Sequence, residues 1–201
     1  MQFSVDASLI DRALEWLPEK MVRPAARMAL NDTGRQATTA AKGKIRERYN
    51  ITAALLNQRV WIGYFASNQN LQLEIASAGR SIDLTYFGAR WVRGNRVVTR
   101  TSTKTFKRSR GTAGVFYEAE RGKPGHLPQG FIARVKAGKS GGSHMGVFVR
   151  KGDERLPIVK KNMVSVASMF NRDEVQEAIR RVVDEKFPER FSHHLERLKV
   201  L

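Results

Sequence analysis

The hydrophobic pattern changes its period near Val60, and this limits the chain to a fold with helices at the front and sheet behind them. Before that point Ala26, Leu30, Thr33, Ala37, Ala41 and Ile45 recur every three or four residues, the spacing of one helix face. After it, Leu71, Leu73 and Ile75 alternate with Gln72 and Glu74, the spacing of a half-buried antiparallel strand. The small residues of the helical stripe let that helix lie close against a sheet or another helix. Its opposite face, with Arg35, Lys42, Arg46 and Arg48, reads as solvated.

Residues 6 to 49 are expected to be helical, with Asp6 as N-cap and Leu9, Ala13 and Trp16 or Leu17 inward. Pro18 is expected to interrupt the first helix, because it lacks an N–H and clashes with the preceding turn. Pro24 either kinks the next helix or sits in its first turn. After a break at Tyr49-Asn50-Ile51, Thr52 can cap a short helix holding Leu55 and Leu56. This pair resembles a helix-turn-helix in outline, and Asn57, Gln58 and Arg59 are side-chain types suited to base edges. The turn lacks a glycine, and helix packing is the preferred reading.

Further strands are expected at "VWIGYF", "RSIDLTYFG", "ARWVRGNRVVTRT" with its turn at Gly94-Asn95, "GFIARVKA" and "MGVFVRK". The segment Thr99 to Gly125 is polar, basic and glycine-punctuated: a long hairpin, an arm or a loop. The end returns to helix, with Asn171 as N-cap, Val175, Ile179, Val182 and Val183 inward, and Pro188 ending or kinking it. The architecture expected is one α+β domain over residues 1–201. Its helical front covers 1–59, an antiparallel sheet with a basic arm at about 99–125 covers 60–165, and a C-terminal helix covers 166–201.

The charge is +17, from 36 Lys and Arg against 19 Asp and Glu, more than solubility requires. Between residues 86 and 151 stand 15 Lys and Arg against two acids, Glu118 and Glu120, so most of the surplus is in the middle of the chain. A negatively charged partner is implied, either nucleic acid or an acidic protein surface. Within the arm, Arg100, Lys104, Lys107, Arg108 and Arg110 are the densest group and the candidate contacts to DNA or to a neighbouring protein. Cysteine is absent, so no disulfide framework or thiolate metal site is expected. No signal peptide and no stretch of about 18 apolar residues is visible, so no membrane partner is expected.

Catalysis needs a nucleophile, a tuned acid or base, or a metal. The adjacent His193 and His194 make a poor chelate and read as surface residues; His126 is placed in a loop and His144 near the start of a strand. "GKSGGS" contains Gly-Lys-Ser, but a phosphate-binding loop would need glycine where Ala133 stands and a helix to follow. No paired carboxylates stand in a nuclease-like setting. No enzyme activity, metal or cofactor is expected.

The stretch "GVFVRKGDERLPIVK" reads as a strand, a turn over Lys151 to Glu154, and a segment that Pro157 confines to an edge or bend. Val147 and Val149 share one face and Phe148 takes the other. Phe148, Leu156, Pro157 and Ile158 are candidates for packing a neighbouring subunit or the final helix.

Phe87-Gly88-Ala89-Arg90, Phe131-Ile132-Ala133-Arg134, and Gly146-Val147-Phe148 with Arg150, Gly152 and Arg155-Leu156-Pro157-Ile158, in that order, resemble the minor tail protein Z family of tailed phages and prophages. The basic helix, the break near Ile51 and "LLNQRV" ahead of a strand fit that family's front end, so the resemblance covers roughly residues 20 to 165. It implies a structural virion protein in the tail, assembled in the host bacterial cytoplasm. It would complete the head-proximal end of the tail for head joining and DNA passage. The implied fold is shared by tail-completion and tail-terminator proteins. Implied partners are tail terminator, tail tube and head connector proteins, further copies of the chain in a ring such as the rings of six that related folds commonly form, and DNA passing non-specifically. Thr101 to Gly125 departs from the family pattern in being longer and more basic. The alternative is a free, non-specific DNA- or RNA-binding protein using the helix pair and the basic middle.

Overall fold

The computed structural model describes residues 8–93, 96–100, 106–110, 113–137, 142–152 and 154–199. Its contacts fall into two compact units. The first unit is made of three separate pieces of chain, up to Glu47, Ala53–Arg80 and from Ser165 onward. It holds helices α1 (Ser8–Trp16), α2 (Glu19–Arg48), α3 (Ala53–Arg59), α4 (Val166–Phe170) and α5 (Asp173–Lys199), and strands β1 (Val60–Tyr64) and β2 (Glu74–Ser77).

Pro18 separates α1 from α2 as the sequence predicts, and its carbonyl accepts from the Met21 N–H to start α2. Pro24 lies inside α2, one turn beyond its start. The small-residue stripe explains how α2 packs. Ala25, Ala26 and Ala29 are fully buried and let the Phe187 and Phe191 rings of α5, stacked 5.7 Å apart, approach the helix backbone. Farther along, Ala37, Ala41 and Ile45 are buried on the same face. The side chain of Asn31 clasps the backbone of Ala66: its Nδ2 donates to the Ala66 carbonyl at 3.1 Å and its Oδ1 accepts from the Ala66 N–H at 2.9 Å. That pins the segment after β1 to α2.

Three expectations need correction here. Asn171 does not cap the last helix; it closes the short helix α4, whose N-cap is Ser165. Pro188 does not end α5, which runs 27 residues to Lys199. A proline costs one helical hydrogen bond and some local strain, about 3 kcal/mol, and the buried Phe187 and Phe191 on either side hold the helix in place. The strand read at "LQLEIAS" begins only at Glu74; Leu71 and Leu73 are half-buried in irregular chain. Asp6 lies outside the described residues.

The second unit is Arg48–Thr52 with Ser81–Val164. Strand β3 (Ser81–Asp83) runs into a single 3-10 turn, Leu84–Phe87, where a continuous strand was expected. Asp83 produces the turn by accepting from the Thr85 N–H, and Gly88 ends it in the left-handed region at φ 69°. Leu84 and Phe87 are buried by the turn while Tyr86 points to solvent. β4 (Arg90–Val92) pairs antiparallel with β7 (Gly114–Glu120), not with the strand that follows it. β5 (Arg96–Arg100) instead pairs with β6 (Phe106–Arg110) in a two-stranded sheet of their own. β7 pairs with β8 (Lys123–Leu127). β9 (Gly130–Ala137), β10 (Gly142–Arg150) and β11 (Ile158–Lys160) make a three-stranded sheet with β10 central, and β12 (Asn162–Ser165) pairs with β3. Val115 is fully buried, so the second half of the expected arm is folded sheet rather than arm.

Candidate assembly site

The basic hairpin is the first candidate surface. Arg100 closes β5, and Lys107, Arg108 and Arg110 lie in β6; Lys104 and the Gly94-Asn95 turn lie outside the described residues. The register sets Arg96 opposite Arg110, Val98 opposite Arg108, Thr99 opposite Lys107 and Arg100 opposite Phe106. Five of the ten strand residues are Lys or Arg and none is acidic, so the hairpin contains no charge that neutralises its own. Like charges across a ladder weaken it. A hairpin of this composition is suited to an acidic surface supplied from elsewhere.

The second candidate lies where the three stretches that carry the family resemblance meet. Asp83 stands at the entry to the 3-10 turn, and its Oδ1 accepts from both the N–H and the hydroxyl of Thr85, each at 2.9 Å. Lys160 of β11 reaches the other oxygen at 2.9 Å. Burial alone would raise the Asp83 carboxyl; the bonds from Thr85 and Lys160 outweigh burial and hold it below its ordinary value. Gly146 of β10 makes room for this pair. A methyl group there would sit 2.9 Å from Asp83 Oδ2 and 3.1 Å from Lys160 Cε. Two residues on, Phe148 is buried with its ring 6.1 Å from that of Phe131, and the Arg150 guanidinium lies 5.0 Å over Phe131.

The four residues expected at a packing surface therefore separate. Phe148 belongs to the interior of its own unit, and Ile158 is half-buried at the start of the edge strand β11. Leu156 is 65% exposed, and Pro157 beside it is exposed. Val159 on β11 is also exposed. Val147 on one face and Phe148 on the other are both buried, so both faces of β10 are covered at its middle, while Val149 is only partly buried.

Two histidines differ from expectation. His126 lies on β8 rather than in a loop, its ring stacked on Phe116 at 4.2 Å. His194 is buried, not on the surface, and its Nε2 lies 3.0 Å from Asp32 Oδ2. Its position one turn from Phe191 and from Leu198 on an apolar helix face was the signal available in the sequence. Among the described residues no group of three His, Asp or Glu side chains is placed to hold a metal. "GKSGGS" leads into β10 and not into a helix. In the helix pair, Leu55 and Leu56 are buried and Asn57 accepts from Lys42 Nζ at 3.1 Å, contacts that belong to packing. Among the described residues no helix is long and apolar enough to cross a membrane.

Over residues 9–200 the chain matches the family model of prophage minor tail protein Z (GPZ). The chain belongs to the minor tail protein Z family. It is a structural component of a phage or prophage tail, and so of the virion. No match to the chain was found among curated proteins or among solved structures. The family match extends past both ends of the stretch legible by resemblance, taking in most of α1 and all of α5. Both units thus belong to minor tail protein Z.

Proposed function

We propose that this minor tail protein Z completes the head-proximal end of the tail. It self-associates there into a ring that meets the tail terminator, tail tube and head connector proteins and lets DNA through. The two units act together as one α+β domain. The observation that carries this reading is the position of the charge: the surplus between residues 86 and 151 falls in the sheet unit, and its densest part is the hairpin β5–β6. A channel that DNA traverses must accept any sequence. It therefore meets phosphates with Lys and Arg rather than reading base edges. In a symmetric ring each such residue is repeated by every subunit. Arg100, Lys104, Lys107, Arg108 and Arg110 face an acidic surface, DNA or a neighbour, while Leu156, Pro157 and Ile158 at the sheet edge offer apolar contact between subunits.

The test reverses the five arm charges to Glu in a prophage and counts, by electron microscopy, tails joined to heads. Joined particles are expected to fall at least tenfold while tail tubes still form. Joining and DNA ejection at wild-type yield would overturn the reading.

A further inference from the structure

In a chain so basic, one groove of the helical unit is acidic. It lies between the second half of α2 and the first half of α5 and has a volume of about 930 Å³. Five of the chain's 19 acidic residues line it, Glu47 from α2 and Glu174, Glu177, Asp184 and Glu185 from α5, against three cations. Glu177, Asp184 and Glu185 are exposed and make no ion pair with any described residue. Lys44, on the α2 wall, registers the field: the Glu47 carboxylate, by hydrogen bond and charge, and then Glu174 hold its ammonium above the ordinary value, although the nearby Arg181 opposes them. The floor is low, since Ala40, Gly43 and Ala178 line it and a methyl group at 43 would meet nothing within 4 Å.

We propose that this groove receives the basic hairpin β5–β6 of a second copy of the chain. The argument is complementarity of charge and length. The hairpin carries five cations and no acid on ten strand residues, and the groove holds three carboxylates along α5 that pair with no described residue. Glu174 to Glu185 spans about 16 Å at the helical rise per residue, and a five-residue strand spans about 14 Å. Of the two acidic surfaces open to the hairpin, DNA or a neighbour, a second copy is the one whose carboxylates the chain itself supplies. The contact joins unlike surfaces, hairpin to groove, so it propagates head to tail and closes into a ring where the rotation allows. The inference rests on the proposed self-association and names the contact that makes it.

Because the chain has no cysteine, single cysteines report the contact cleanly. Full-length Ser109→Cys and Ala178→Cys proteins are mixed under mild oxidation, with Ser109→Cys plus Ser192→Cys as the control pair. Mixed disulfide dimers are expected at least tenfold above control. They should be lost in about 0.5 M salt, which screens exposed charges, and lost when Glu177→Lys, Asp184→Lys and Glu185→Lys are added to the Ala178→Cys chain. Adding Lys107→Glu and Arg108→Glu to the partner of that reversed groove should restore them. Dimers at control level, or dimers indifferent to groove reversal, would overturn the proposal. If hairpin reversal still prevents head joining in that case, tail completion stands and the hairpin faces DNA or another tail protein instead. Circular dichroism of each variant confirms that the fold is intact before mixing.

Discussion

Asp83 and Gly146 illustrate how one ion pair can set the requirements of a strand whose glycine lies 63 residues along the chain from the carboxylate. Gly146→Ala places a methyl group against both members of the Asp83–Lys160 pair. Overpacking of this kind costs about 1–3 kcal/mol, and thermal unfolding of the variant should show that loss, while Gly152→Ala, where a methyl group meets nothing, should not. The pair also fixes an acid limit. Asp83 has its carboxyl pKa lowered in the folded protein, so it contributes stability above its ordinary value of 3.8, and that contribution is lost as pH falls through the lowered folded value. Asp83→Asn should therefore have a lower Tm than the parent at neutral pH, with the gap narrowing as pH is taken below 3.8. A gap independent of pH between 7 and 2 would show that the carboxylate charge contributes nothing. The polar pairs at this scale were the least legible in the sequence. Asp83 reads as one polar residue in an alternating strand, and His194 as half of a surface pair. Each is decided by a partner far along the chain, Lys160 for Asp83 and Asp32 for His194.

Elements were legible where their periodicity was long and failed where it was short. The α2 stripe, the Pro18 break and the edge position of β11 follow from spacing and proline chemistry. The 3-10 turn at Leu84–Phe87 did not, because Ile82 and Leu84 face inward in a strand and in this turn alike. The arm was legible as basic, but not as two hairpins of different kinds. β7–β8 buries Val115 and Ala119, whereas β5–β6 hydrogen-bonds only to itself among the named sheets. An isolated two-stranded hairpin is marginal in water. Amides of Val97–Arg100 and Lys107–Arg110 should then exchange hydrogen within seconds in the free protein, while those of β7 and β10 hold for minutes or longer. Protection of β5–β6 should appear on assembly. Equal protection of all four strands before assembly would contradict this account of the hairpin.

On the scale of the whole molecule, the α+β class and the tail role were readable because composition, order of elements and three short stretches agree. The pairing of β4 with β7 rather than β5 was not, since both alternatives satisfy the alternation. The exposed sheet edge gives a further test. Leu156→Ser should leave stability within about 0.5 kcal/mol of the parent, as surface changes do, yet reduce joined particles if the edge meets a neighbour. Ile158→Ser, at a half-buried site, should lower Tm as well. Identical particle yields from Leu156→Ser and the parent would remove the edge from the assembly surface. The discontinuous build of the helical unit has one more consequence, which concerns time. α2 needs Phe187 and Phe191 to cover its stripe, and these leave the ribosome roughly 140 residues after it. At about 5–20 residues per second that is a wait of roughly 7–28 s, and the sheet unit, which runs to Val164, is complete only near its close. An alanine stripe exposes little apolar surface in that interval. The groove between α2 and α5 gains its second wall only when residues 174–185 have been made, long after β5–β6, so a growing chain presents its hairpin well before it has the groove proposed to receive one.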